Sequence, residues 1–301
     1  MKHIIFYSGG VGSWATAKRV IEKHGVEDVI LMFTDTLIED KDLYRFMIET
    51  AGELFNVHVS DLVDLTKNIP DVSHELMEER KQYLRELSEL VNKRIPQMNW
   101  SMDGRTPWEV FKKERWIGNS RIAQCSHKLK QDAAAKIINQ YDPDEVVLYL
   151  GIDWTEDHRK EAPKKNWLPY KVEFPMCEEP FVVKEEMLAD LNALGIASPR
   201  LYGKGFAHNN CGGFCVRGGQ GHFINLLKEF PELYRYHEEK EEEMRQFLGK
   251  DTSILRKQKN KVKYQLTLKQ LREEYEAKNM KNIDMDDIGG CGCMSYYPEE
   301  E

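Results

Sequence analysis

Ser8-Gly9-Gly10-Val11-Gly12-Ser13 follows directly on the apolar run at residues 3–7 and leads into a helical pattern at 14–21. A buried strand that breaks into glycines and then opens a helix aims unpaired backbone N–H groups, and the positive end of the helix dipole, at one place. Such a place suits a phosphate. Glycine serves there because a Cβ would block close approach and penalise positive φ, while the hydroxyls of Ser8 and Ser13 add donors to the cradle. Glycine turns after strands also occur as plain strand-to-helix connections, so this one takes its meaning from what surrounds it.

The flanking segments set the fold class. Residues 29–34 form a second apolar run and Val57-His58-Val59 a weaker third, with amphipathic stretches at 15–23 and 41–54 between them. Non-alternating strands separated by helical segments predict a parallel sheet covered on both faces. At 73–94, Leu76, Tyr83, Leu84, Leu87, Leu90 and Val91 recur at helical spacing among many charges, which predicts one long surface helix, stopped by Pro96 and inserted at about 73–95. An irregular stretch rich in Trp, Lys and Arg is expected at 100–121, then a helix at 127–140, a fourth strand at 145–150 and a short fifth at 170–174. The expected architecture is an α/β, doubly wound parallel sheet over residues 1–180. A mostly helical region at 181–301 follows, with helices at 222–247 and 267–277 and two cysteine-bearing loops, 209–221 and 289–293.

At 301 residues and 41% hydrophobic, the chain is long and apolar enough to bury a full core. A net charge of −8 argues against indiscriminate coating of nucleic acid. One basic run stands out, Arg256, Lys257, Lys259, Lys261 and Lys263, expected as a solvated loop with a polyanion contact as the alternative. No apolar run approaches the roughly 18 residues of a membrane span, and Met1-Lys2-His3 does not open a signal-peptide pattern, so no membrane partner and a cytoplasmic location are expected.

Ligands of a doubly wound sheet bind outside the carboxyl ends of its strands. Strand one ends in the glycine turn, strand two in Thr34-Asp35-Thr36 with Glu39 beyond, and strand four in Gly151-Ile152-Asp153 followed by Glu156, His158 and Arg159. Arg121, Cys125, Ser126, His127, Lys128 and Lys130 gather at a helix start between them. An anion cradle, cationic clusters and acidic groups at one sheet edge suit a nucleotide triphosphate with its divalent metal, Mg2+.

Four segments in this order, SGGVGS at 8–13, TDTLIED at 34–40, CSHKLK at 125–130 and GIDWTEDHR at 151–159, resemble the adenine nucleotide alpha hydrolase-like (PP-loop) ATP pyrophosphatases. Within them the likeness is to the phosphoadenosine phosphosulfate (PAPS) reductase-like branch, and it covers residues 2–159. The CGGFC and GCGC segments are similar to cysteine-rich relatives in that branch, some of which carry iron–sulfur clusters and transfer sulfur to nucleic acids. Two departures stand out: many members carry Lys-Asp where Val11-Gly12 stand, and the reductases' C-terminal catalytic cysteine motif is not evident.

The resemblance implies an ATP or adenylyl-sulfate site, with Ser8, Gly9, Gly10, Gly12, Ser13 and Gly151 around the phosphates and Asp35 and Thr36 by the base or ribose. Lys128 and Arg159 would meet phosphate or sulfate charge in catalysis. The alternative for Asp35 is a helix N-cap, and for Arg159 a surface ion pair. The implied reaction is adenylation-linked sulfur transfer, with a cysteine desulfurase as sulfur donor and a nucleic acid among the acceptors. One alternative is a thioredoxin-dependent phosphoadenylyl-sulfate reductase that releases sulfite; another is a non-catalytic nucleotide or nucleic-acid binding protein.

Six cysteines in a chain of cytosolic character point to metal binding or reactivity rather than disulfides. Cys211 with Cys215, and Cys291 with Cys293, sit among glycines that let backbone N–H groups turn toward thiolate sulfur. Four thiolates suit zinc, and three or four suit an iron–sulfur cluster, with Cys125 able to replace one of them; the unusual spacing favours iron–sulfur. Cys125, beside Arg121, His127 and Lys128 at a helix start, reads as cluster ligand, as persulfide or reductive thiol, or as a small residue without chemistry. Cys177 reads as a packing residue.

Overall fold

A computed structural model describes residues 1–119, 123–259 and 261–290. Its centre is a five-stranded, all-parallel sheet: β1 Lys2–Phe6, β2 Val29–Asp35, β3 Met98–Met102, β4 Val146–Tyr149 and β5 Lys171–Glu173, in the spatial order 3-2-1-4-5. β1 lies in the middle, Ile4 pairing with Ile30 on one side and Leu148 on the other. Its alternate side chains divide between two cores, as the strand pleat requires. Ile5, Tyr7, Leu31, Phe33, Val147 and Tyr149 face the helices Val11–His24, Lys41–Leu54, Met77–Arg94 and Lys184–Ala193. Ile4, Phe6, Met32, Val146 and Leu148 face the helix Asp132–Ile138 together with Trp167 and Tyr170. Both faces are therefore covered, as the continuous apolar runs of β1, β2 and β4 predict.

The order of connections positions the site. From β1 the chain winds outward through β2 to β3, then crosses back to place β4 on the other side of β1. The winding reverses between β1 and β4, which opens a crevice at their carboxyl ends.

The structure corrects several sequence expectations. Val57-His58-Val59 is not a strand: the Val57 N–H donates to the Gly52 carbonyl, and Val59 packs so closely on that helix that a Cβ at Gly52 would meet it at 2.5 Å. The third strand is Met98–Met102, overlapping the start of the stretch at 100–121 read as irregular. It is an edge strand, so it buries Met98 and Trp100 in alternation and lacks the continuous apolar run that marks a central strand. The same stretch holds a helix, Pro107–Glu114, opened by a Thr106/Glu109 capping box. The helix Met77–Arg94 leads directly into β3 and buries Leu84, Leu87 and Val91 in the main core. The basic run is not a loop, because Leu255–Lys259 pairs antiparallel with Val262–Leu266. The helix expected at 222–247 is two, Gln220–Glu229 and Pro231–Leu248, divided at Phe230 where Pro231 opens the second.

The carboxyl-terminal region has a core of its own, built on Leu201, Phe206, Phe214, Phe223, Tyr234 and Leu271, which also takes in Ile38, Trp108 and Phe111. The loop carrying Cys211 and Cys215 sits between this core and the sheet's carboxyl edge. No described helix is long and apolar enough to cross a membrane.

Candidate functional site

At the end of β1 the chain turns through Gly9, at φ 76°, into the helix Val11–His24, whose N-cap is Gly10. Side chains are sterically excluded on both sides of this turn. A Cβ at Gly9 would stand 2.7 Å from Leu43 Cγ; one at Gly151 would stand 3.0 Å from the Gly12 carbonyl and the Ser13 nitrogen. The first turn of the helix thus rests directly on the backbone that leaves β4. This contact gives a physical reason for glycine at position 151; a Cβ at Gly12 would meet the Gly151 carbonyl oxygen at 3.3 Å. The Ser13 hydroxyl donates to the Gly10 carbonyl at 2.8 Å, so it shapes the turn from within. The Val11 N–H donates to the Tyr202 hydroxyl at 3.2 Å, and among the described residues the N–H groups of Gly10 and Gly12 make no hydrogen bond.

The turn opens on a cleft of about 320 Å³ in the crevice between β1 and β4. Ser8, Gly10, Gly12 and Ser13 line one wall, Gly151, Asp153, Glu156 and Arg159 a second, and Lys184, Tyr202 and residues 207–210 a third. Arg159 is ion-paired with Glu156 within its own turn. The Lys184 ammonium lies 3.6 Å from the centre of the Tyr202 ring and donates to the Ala207 carbonyl; burial holds its pKa below the usual lysine range. Cations, carboxylates and backbone N–H donors thus share one crevice.

Three of the residues expected at the nucleotide lie elsewhere. Asp35 does not line the cleft: it is fully buried and accepts from the Leu37 N–H (2.7 Å), the Tyr44 hydroxyl (2.9 Å) and Trp100 Nε1 (3.0 Å). Burial first, then the neighbouring Glu39 carboxylate, raise its pKa to about 6. It does not cap the following helix either, since Asp40 does so by accepting from the Asp42 N–H. Thr36 donates to Glu39 Oε1 at 2.9 Å, on the side of the cysteines. Lys128 is paired with Asp132 at 3.2 Å on its own helix and is not among the residues lining the cleft.

The loop after β2 is held by an unusual cation. Arg80 is buried, and its Nε, Nη1 and Nη2 donate to the carbonyls of Leu37, Pro70 and Glu39 in turn. The Glu39 carboxylate so positioned accepts from the Cys211 N–H and faces Lys130 Nζ at 3.5 Å. Lys130 Nζ also lies 3.9 Å from Cys211 Sγ.

Cys125, Cys211 and Cys215 line one small internal cavity together with Thr36, Ser126 and Lys130. Cys125 belongs to the helical turn that widens at Ser126–Gln131 into π geometry before continuing as Asp132–Ile138. Three of the five expected metal ligands thus come together. Among the described residues, however, no group of three His, Cys, Asp or Glu side chains is disposed to hold a metal ion, and Cys291 and Cys293 lie outside the described residues. Cys177 packs against the second face of the sheet, its thiol directed at the Ile152 carbonyl.

Between the cleft at the glycine turn and the thiol cavity lies a third space of about 310 Å³, which shares Tyr202, Ala207, His208 and Asn210 with the first and Cys211 and Cys215 with the second. The segment 207–211 is thus a common wall. Lys184, Tyr202 and Asn209 are the site residues that sequence reasoning missed. None carries a local motif, although Asn209 opens the cysteine-bearing loop at 209–221. Neither a family model nor a curated protein sequence matches this chain.

Proposed function

We propose that this protein is an ATP-using enzyme of the PAPS reductase-like, PP-loop kind, which binds the phosphates of an adenine nucleotide at the glycine turn and couples adenylation to sulfur transfer. The observation that carries the reading is the shared wall. The segment that closes the phosphate cleft at residues 207–210 runs straight into Cys211, so a nucleotide's reactive phosphorus and the thiols border adjoining spaces.

The chemistry assigns roles to residues in the cleft. The Gly10 and Gly12 N–H groups and the helix dipole meet phosphate oxygens, with Arg159 and Lys184 opposite to balance charge on a departing pyrophosphate. Donors fixed before the reaction cost no reorganisation as charge develops, which is where such sites acquire most of their rate. Asp153 and Glu156 are the carboxylates available to a magnesium ion carried in with the nucleotide. The acceptor's carbonyl oxygen attacks the α-phosphorus and pyrophosphate leaves. The terminal sulfur of a cysteine persulfide then attacks the adenylated carbon and AMP departs with that oxygen, after which a second cysteine thiol cleaves the S–S bond, leaving the sulfur on the acceptor and a cysteine disulfide that an external thiol reductant resets. A cluster or zinc ion at Cys125, Cys211 and Cys215 with Cys291 and Cys293 belongs to the same proposal.

Calorimetric titration with ATP and with adenylyl sulfate, in the presence of magnesium, tests the nucleotide site; heats of dilution alone would overturn the reading. Pyrophosphate release from ATP separates an enzyme from a binding protein, and thioredoxin-dependent sulfite release would identify a reductase instead. Anaerobic purification with an absorption spectrum and elemental analysis decides the metal: iron with sulfide supports sulfur chemistry, and zinc alone a structural clip.

A further inference from the structure

In the wall shared by the two cavities, one side chain is buried, polar and half satisfied. Asn209 has no solvent exposure; its Nδ2 donates to the Gly9 carbonyl at 2.8 Å, and its Oδ1 has no hydrogen-bond partner among the described residues. Only the NH2 end of the amide can face a carbonyl, so the bond sets which way the side chain points. It also sets the turn. The Gly9 carbonyl and the Gly10 N–H belong to one planar, trans peptide unit, so aiming the carbonyl at Asn209 aims that N–H the opposite way. The donor assigned above to phosphate therefore takes its direction from a residue 200 positions further along the chain.

Two residues later the chain is gripped again. The Cys211 N–H donates to the Glu39 carboxylate, and a Cβ at Gly212 would stand 2.4 Å from the Ile38 carbonyl oxygen. Cys211, Gly212 and Gly213 take φ values of 56°, 60° and 85° in succession, a conformation that a non-glycine residue such as Cys211 holds only when its surroundings impose it. The segment is thus tied to the end of β1 through Asn209 and to the loop after β2 through Glu39, with one residue between the two ties. So short a span has little slack to absorb movement at either end.

We propose that Asn209 is a positioning residue that couples the phosphate turn to the cysteine turn. A nucleotide that fixes the Gly9–Gly10 peptide stiffens the turn at 211–213, and a group that binds at the cysteines and favours the same turn raises nucleotide affinity by the factor by which nucleotide raises its own, since coupling between binding sites is reciprocal. The inference rests on the nucleotide reading above.

Hydrogen exchange on the full chain, with and without ATP and magnesium, tests it. The amides of residues 212–217 lie beyond those lining the phosphate cleft, so direct contact with nucleotide does not shield them. In the wild type, ATP is expected to slow their exchange. Asn209→Leu, which keeps the volume and removes the amide, is expected to weaken ATP binding about tenfold and, at saturating ATP, to abolish the slowing while the thermal midpoint stays near that of the wild type. Undiminished slowing in the variant would overturn the role of Asn209. ATP binding to the wild type with no change at 212–217 would overturn the coupling, a result that needs no variant to fold. A wild type that binds no ATP removes the nucleotide reading itself, and this inference with it.

Discussion

Replacing Gly151 by alanine is expected to damage the proposed phosphate site by pushing on the backbone of Gly12 and Ser13. A Cβ at this position stands 3.0 Å from the Gly12 carbonyl carbon, the Gly12 oxygen and the Ser13 nitrogen. Comfortable carbon contacts begin near about 3.5 Å, so the end of β4 and the start of the helix must separate by roughly half an ångström. All three neighbours are backbone atoms, so no rotamer change relieves the overlap. Overpacking of this kind costs about 1–3 kcal/mol of folding stability. Displacing preorganised donors by about half an ångström is expected to weaken ATP binding roughly tenfold, or about 1.4 kcal/mol. Urea unfolding and calorimetric titration read the two effects. Gly203→Ala is the control, because a Cβ there meets nothing within 4 Å and φ is not positive. If Gly151→Ala kept both wild-type stability and wild-type affinity, the contact between the two glycine segments would not be what shapes the cradle.

Three further outcomes follow from the same geometry. Arg80→Met leaves three carbonyls without their donor and is expected to cost about 3 kcal/mol or more in chemical denaturation; a loss below about 1 kcal/mol would contradict the bonding described. Asp35, held near pKa 6 against an ordinary 3.8, binds its proton more tightly folded than unfolded. Its contribution is therefore complete below the ordinary value and is lost as pH rises toward 6, by at most about 3 kcal/mol. Asp35→Asn should show a shallower fall in stability between pH 4 and 7, and equal slopes would refute the shift. Lys184→Met is expected to weaken ATP about tenfold and to reduce the salt dependence of binding, with little effect on stability; unchanged titrations at two ionic strengths would remove Lys184 from the site.

The parts of the fold legible in sequence were those whose causes are local. β1, β2 and β4 are buried on both faces and read as unbroken apolar runs, and the glycines at 9, 10 and 12 follow at once on the first of them. β3 was hidden because an edge strand needs apolar residues only at alternate positions, and Met98, Trp100 and Met102 supply that beneath the polar Asn99 and Ser101. The apolar pair at Val57 and Val59 misled because packing on a helix asks for the same residue types as a strand.

From residue order alone came a parallel sheet and a glycine turn between its first strand and the helix that follows, since a strand's burial and a turn's tolerance of positive φ are written in a few neighbouring residues. Tertiary structure alone decided which side chains share the turn's surroundings. It buried Asp35 behind Tyr44 and Trp100, brought Lys184, Tyr202 and Asn209 to the crevice, and set Cys125 beside Cys211 and Cys215. Contacts between segments this far apart depend on how two separate cores pack at the carboxyl edge of the sheet, and no local pattern records that.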